Sequence, residues 1–121
     1  MEKINVEEIK TYLREFSKDR DWDQYHTPKN LACALSVEAS ELLEIFQWMN
    51  QEEENNLVLD NSNENRKKIE DEMSDILTYL IRLSDILKID LSSSMKRKFQ
   101  ENEEKYPADQ VRGSARKYND Y

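Results

Sequence analysis

Two short acidic runs contain the residues best placed to do chemistry. In EASE, Glu38 and Glu41 stand three apart, and in EMSD, Glu72 and Asp75 do the same. Residues three apart on a helix share a face, so each run would present two carboxylates side by side. Both runs also break into apolar stripes. Glu38 falls within the series Leu31, Leu35, Leu42, Ile45 and Met49, and Glu72 within Ile69, Ile76, Tyr79, Leu83 and Ile86. Carboxylates placed among core positions and facing one another raise each other's pKa. Such a site must hold protons, pair with Lys or Arg, or bind cations. A ligand set made only of oxygen suits Mg²⁺ or Mn²⁺. The alternative for either run alone is a solvated acidic helix face, which is common. Two matched runs, each replacing a seam residue, favour a shared site.

Other metal architectures fit poorly. Di-iron carboxylate bundles use two Glu-x-x-His pairs, whereas His26 is the only histidine and lies in no such pair. The stretch DNSNENRKKIED fails as a calcium-binding loop because Asn65 stands where a glycine is needed and Lys67 where a hydrophobic residue belongs. Further along, Lys98, Asn102 and Lys105 fall at spacings of four and three. They share a helical face that could meet phosphate oxygens, or that could be a solvated cationic surface. A cation cluster together with such a face suggests a phosphate-bearing substrate.

The elements that must position these groups follow from the spacing. With one glycine and two prolines in 121 residues, the chain has few sites for tight hairpin turns. Its apolar residues recur at helical intervals, which predicts an all-α fold with a four-helix bundle-like core and helices over about 4–18, 28–50, 64–88 and 91–105. Thr27 is a plausible N-cap with Pro28 at the first helical position, and Asp90 a second N-cap. Residues 19–27, with Trp22, Tyr25 and His26, read as an ordered loop, and the polar stretch 51–65 as a connecting loop. Pro107 ends the last helix. One domain over 1–107 and a C-terminal tail over 108–121 are expected. If the second and third helices pack antiparallel, Glu38, Glu41, Glu72 and Asp75 converge.

Composition narrows the partners. A net charge of -8 gives long nucleic acid no overall electrostatic attraction, despite Lys96-Arg97-Lys98. Cys33 is the single cysteine and cannot form an intramolecular disulfide; no run of about 20 apolar residues suggests a membrane span. A reducing cytoplasm is the expected compartment. By composition, Trp22 and Trp48 read as core or interface anchors. Four helices of this length leave a second apolar face with little cover, so a homo-oligomer is expected.

At this level of detail the residues are familiar. EASELLEIFQW followed by DEMSDILTYLIRL resembles the metal motifs of the MazG-like all-α nucleoside triphosphate pyrophosphohydrolases. RDWDQYHTPKNLACAL, KFQENEEKYP and the terminal RGSARKY resemble the dCTP pyrophosphatase branch of that family, so that the similarity runs from about Asp19 to Tyr118. The resemblance implies Mg²⁺-dependent conversion of a (deoxy)nucleoside triphosphate, dCTP or a C5-modified dCTP foremost, to the monophosphate and pyrophosphate, a nucleotide-pool house-cleaning activity. It implies that Glu38, Glu41, Glu72 and Asp75 hold the metal, and that one of these carboxylates or a neighbour orients or deprotonates the attacking water. It places Lys98, Asn102 and Tyr106 at the phosphate chain. It places Trp22, His26, Asn30 and Trp48 around the base and sugar, some from a neighbouring subunit, with Tyr79 a further pocket residue. A tetramer built as a dimer of dimers is also implied. The rival class is a noncatalytic all-α nucleotide- or protein-binding module that uses its acidic cluster to dock a basic partner. Seam carboxylates intercalated with Leu and Ile argue against it, because a docking face would be exposed.

Overall fold

Each long helix begins where a side chain can accept the orphan N–H groups of a first turn. The Asn5 side chain accepts from the backbone N–H groups of Glu7 and Glu8 at 3.0 and 3.2 Å, and Thr27 from that of Asn30 at 3.2 Å. Asn50 accepts from Glu53 at 2.9 Å, Asn63 from Asn65 at 2.9 Å, and Asp90 from Ser92 at 3.0 Å. The resulting elements in the computed structural model, which describes residues 1–115, are α1 (Val6–Asp19), α2 (Pro28–Phe46), α3 (Gln51–Leu59), α4 (Glu64–Ile86), α5 (Leu91–Lys105) and α6 (Ala108–Val111). Among the described residues every regular element is helical, which is the all-α fold that the spacing predicts.

The chain divides into two compact units, Met1–Lys88 and a second that begins at Ile89. The boundary expected at residue 107 lies inside the second unit. In the first unit α4 packs along α2 and is also covered by α1. Glu38 lies by Glu72 and Asp75, whereas Ile45, two turns further along α2, shares a groove with Asn65 and Lys68 near the start of α4. The two helices are therefore antiparallel. Each helix of this unit supplies one buried apolar side chain to the core, Leu13, Leu31, Leu57 and Ile81, of which Leu31 and Ile81 are fully buried.

The tie between α1 and α4 is ionic. Arg14 donates to Asp85 through Nε and Nη2 at 2.7 and 2.6 Å, a bidentate arrangement that fixes the helix pair in register. Asp85 also lies 3.6 Å from Nη1 of Arg82, one turn back along α4.

The expected boundaries need three corrections. Helix α2 ends at Phe46 and not at residue 50, with Gln47 as its C-cap, so that Trp48 lies in a turn and Asn50 is free to cap the next helix. The stretch expected as a loop over 51–65 forms α3. Asn50 caps it, Glu52, Glu53 and Glu54 face the positive end of its dipole, and Leu57 anchors it in the core. Nine residues with one buried position show no helical period, which is why the pattern hid it. Arg66 donates to the Leu57 carbonyl and ties α3 to the start of α4. Third, Pro107 begins the short helix α6 at the start of the expected tail, besides following the end of α5. Arg116, Lys117 and Tyr118 of the RGSARKY motif lie outside the described residues.

With a single glycine in the chain, left-handed backbone positions fall to other residues: Asp21 has φ 54° just after α1 and Lys88 φ 57° just after α4.

The Arg14 guanidinium holds the Asp85 carboxyl below the usual carboxylate range, against the opposing effect of burial. A depressed folded-state pKa contributes stability that is present above the unfolded pKa of about 3.9 and is lost as pH falls through the lower folded value. Asp85→Asn should therefore melt several degrees below wild type at neutral pH, with the gap closing in acid. Melting curves across pH check this, and a gap that persisted unchanged in strong acid would contradict it.

Candidate active site

The antiparallel register of α2 and α4 brings three carboxylates together. Glu38, Glu72 and Asp75 each offer an oxygen, and the three oxygens lie within 4.8 Å of one another. Oε2 of Glu38 and Oε2 of Glu72 are buried and have no hydrogen-bond partner. Asp75 is exposed at the edge of the cluster. Glu41, expected as the fourth member, stands outside this set: one turn along α2 it is exposed and lines an open groove with Glu44, Asn65, Lys68 and Glu72. It acts on the Glu38 carboxyl through a side-chain hydrogen bond as well as through its charge.

The electrostatics follow from the crowding. The Glu38 carboxyl is pushed up to about 8, first by sharing a proton with Glu72, then by burial, then by Glu41 and the negative charge of Asp75. With all carboxyls ionised no donor faces the two buried oxygens, and one proton between them would satisfy both. A divalent cation would do the same more completely. The donor set is hard oxygen only, the oxygens are close enough to share one ion, and two of them lack any other partner, so the residues fit Mg²⁺ or Mn²⁺. The Tyr79 phenol is pushed up as well, by burial and by Glu38, Asp75 and Glu41.

Glu38 and Asp75 also line a cavity of about 310 Å³ with Trp22, His26, Tyr79 and Arg82. Its apolar wall comes from α1, where Phe16 meets Trp22 edge-on with centroids 5.7 Å apart; the guanidinium of Arg20 lies 3.6 Å from the Phe16 ring centre. The segment between α1 and α2 is a series of hydrogen-bonded turns. The Trp22 N–H donates to the Ser17 carbonyl at 2.9 Å, and the N–H groups of Tyr25 and His26 donate back to the Trp22 carbonyl at 2.8 and 3.2 Å.

Of the expected base-site residues, Trp22, His26 and Tyr79 line this cavity. Asn30 does not line it; its side-chain amide donates to the Tyr25 carbonyl at 2.9 Å and braces the loop. Trp48 does not line it either, and in the turn after α2 it is 86% exposed. Lys98, Asn102 and Tyr106 belong to the second unit. There the Lys98 ammonium lies 3.9 Å from the Glu101 carboxylate, and the Tyr106 N–H donates to the Asn102 carbonyl at 2.9 Å.

The sequence reading overlooked Arg82, which is 5% exposed. It donates from Nη2 to Asp23 at 2.9 Å and from Nε to His26 at 3.2 Å. Its signal was visible: a lone cation inside the apolar run LTYLIRL. Tyr12 and Phe16 were visible as the apolar face of α1, with nothing to mark that face as a cavity wall.

The raised pKa of Glu38 gives a test with a definite sign. A carboxyl whose proton is held more tightly in the folded state lowers stability as pH rises from the usual carboxylate range to about 8. In chelator-treated protein at alkaline pH, Glu38→Gln should melt several degrees above wild type, with the difference gone in acid, and added Mg²⁺ should raise the wild-type melting temperature more than that of the variant. Equal melting of the two proteins at alkaline pH would contradict the assignment.

The chain matches the MazG-like family over residues 33–121. It is 40% identical over 115 residues to dCTP pyrophosphatase 1 of Bos taurus, covering 95% of this chain and 67% of that protein. It is 38% identical over 113 residues to dCTP pyrophosphatase 1 of Homo sapiens, covering 93% and 65%. The chain thus spans about two thirds of the length of these relatives. In structure it is similar to a crystal structure of a pyrophosphatase from Archaeoglobus fulgidus, with a TM-score of 0.74, 44% sequence identity, and coverage of 87% of this chain and 99% of that one. Sequence similarity extending along nearly the whole chain and an all-helical fold shared with a solved pyrophosphatase agree: the chain belongs to the MazG-like family.

Proposed function

We propose that this chain is a Mg²⁺-dependent nucleoside triphosphate pyrophosphohydrolase that converts dCTP, or a C5-modified dCTP, to the monophosphate and pyrophosphate. The observation that carries the reading is the three-carboxylate cluster, two of whose oxygens are buried without a partner, at the wall of a cavity with an aromatic side. The similarity to proteins named dCTP pyrophosphatase 1 supports the substrate.

Glu38, Glu72 and Asp75 would hold the cation, with Glu41 flanking them. Bound there, the ion would neutralise phosphate oxygens and lower the pKa of a water. An ionised carboxylate of this set orients the attacking water and accepts its proton. Water oxygen bonds to phosphorus as the phosphoanhydride bond breaks, and pyrophosphate and nucleoside monophosphate separate. Trp22 offers a stacking face to the base, and His26 and Tyr79 its polar contacts. Lys98, Asn102 and Tyr106 are proposed as phosphate-chain ligands on the resemblance of KFQENEEKYP, and Asn30 as a support for the base site through its bond to the Tyr25 carbonyl.

We further propose that residues 1–107 work as one domain with 108–121 as a tail, and that the protein is a homo-oligomer, a tetramer arranged as a dimer of dimers. The buried apolar core among the described residues is confined to four side chains, while Val37, Leu43, Trp48, Val58, Leu59 and Met73 are more than half exposed. An assembly would cover them, and would let Trp48 serve a neighbouring subunit's base pocket. No helix among the described residues is long and apolar enough to cross a membrane, and the exposed thiol of Cys33 suits the reducing cytoplasm we propose as its compartment.

A panel of (d)NTPs with Mg²⁺, read as monophosphate and pyrophosphate, tests the activity, and dCTP should be turned over fastest. Glu38→Ala and Asp75→Asn should each lower pyrophosphate release by at least ~100-fold. Undiminished turnover by folded variants would refute the catalytic assignment, and nucleotide binding with no Mg²⁺-dependent turnover would return the noncatalytic module. Light scattering at micromolar concentration should give an oligomer mass; a monomer would refute the assembly.

A further inference from the structure

We propose that Arg82 is a positioning residue that fixes His26 in one tautomer, with the proton on Nε2, so that the imidazole offers the cavity a hydrogen-bond donor and selects a base edge that accepts one, a carbonyl or an unprotonated ring nitrogen. The inference rests on the pyrophosphohydrolase reading for its substrate, and on geometry alone for the tautomer.

The guanidinium has donors and no acceptor, and it keeps its charge at any pH a folded protein experiences. Its Nε–H lies 3.2 Å from Nδ1 of His26, so that Nδ1 must present a lone pair and the ring proton must sit on Nε2. Ser17, 2% exposed, places its hydroxyl oxygen 3.2 Å from the same Nδ1 and can only reinforce this by donating. Burial first, and then the Arg82 charge, hold His26 below its usual pKa, which keeps the ring neutral near pH 7. Nε2 has no hydrogen-bond partner among the described residues, and the ring lines the cavity that Glu38 and Asp75 also line.

The guanidinium itself is held from both sides. Nη2 meets Asp23 at 2.9 Å on the loop that carries His26, and Nη1 lies 3.6 Å from Asp85, which Arg14 clamps from α1. Burying an arginine beside a histidine would be unfavourable if the histidine were to be charged, because two cations would face each other. It is favourable only with a neutral ring accepting at Nδ1. Arg82 therefore touches no reacting atom in this account; it acts through His26.

The chain has one histidine, so its imidazole nitrogens can be read without ambiguity. In the ¹⁵N-labelled full chain, long-range ¹H–¹⁵N correlation at a pH where His26 is neutral should show Nδ1 unprotonated and Nε2 protonated. Arg82→Met should shift the ring toward a mixture of tautomers, Arg82→Lys should restore the wild-type pattern in part, and Ser17→Ala should leave it in place. With dCTP and Mg²⁺, Arg82→Met should raise KM about two-fold or more with a smaller change in kcat, because an even mixture of tautomers halves the fraction of rings that can donate from Nε2. A wild-type ring protonated at Nδ1 would overturn the proposal, and needs no variant to fold. An unchanged tautomer in folded Arg82→Met would overturn it too. Absence of pyrophosphate release by the wild type would sink the enzyme reading while leaving the tautomer measurement standing.

Discussion

Two packed helices ordinarily exclude carboxylates from their seam, since each buried negative charge loses its hydration and repels the next. Here α2 and α4 place Glu38 and Glu72 against each other with a buried oxygen apiece left unpartnered. That arrangement is unfavourable when empty at alkaline pH and becomes favourable once a proton or a cation sits between the oxygens. Much of the first unit can be understood as holding this seam closed. Helix α3, with Leu57 buried, is tied to the start of α4 by Arg66, and α1 lies along α4, pinned by the Arg14–Asp85 pair.

Helix α4 solves the problem of buried charge in two opposite ways along its length. At Glu72 and Asp75 negative charge is concentrated beside Glu38. Two turns later Arg82 is buried but fully engaged, by Asp23, Asp85 and the lone pair of a neutral imidazole. Asp75 and Arg82 line the same cavity. One end calls for an added cation and the other presents aromatic faces with fixed polar contacts, which is the asymmetry a metal-bound polyphosphate joined to a base would meet.

How much of this was legible in the sequence depended on period. The long helices announced themselves because three to five turns of amphipathic spacing accumulate into a clear signal, and the carboxylates stood out because they broke that spacing at Glu38 and Glu72. Helix α3 did not, since nine residues with Leu57 as the sole buried position carry no period. Trp48 read as the last turn of α2, whereas Asn50 captures the chain for α3 and leaves Trp48 in a turn. Glu41 shares a face with Glu38, as the pattern implies; one turn on it lines an open groove with Glu72 and still acts on the Glu38 carboxyl. The Arg82–His26 contact spans 56 residues, and no local pattern encodes a contact between a loop and a helix that distant.

As a proposed cation site, the acidic seam is held ready by one shared proton. Calorimetric titration of Mg²⁺ into chelator-treated protein without nucleotide, repeated near neutral pH in two buffers of different ionisation enthalpy, counts the protons released on binding. With Glu38 pushed up to about 8, binding should release about one proton per site in wild type and essentially none in Glu38→Gln. Saturable binding by wild type with no proton release, or equal release by the variant, would contradict the account.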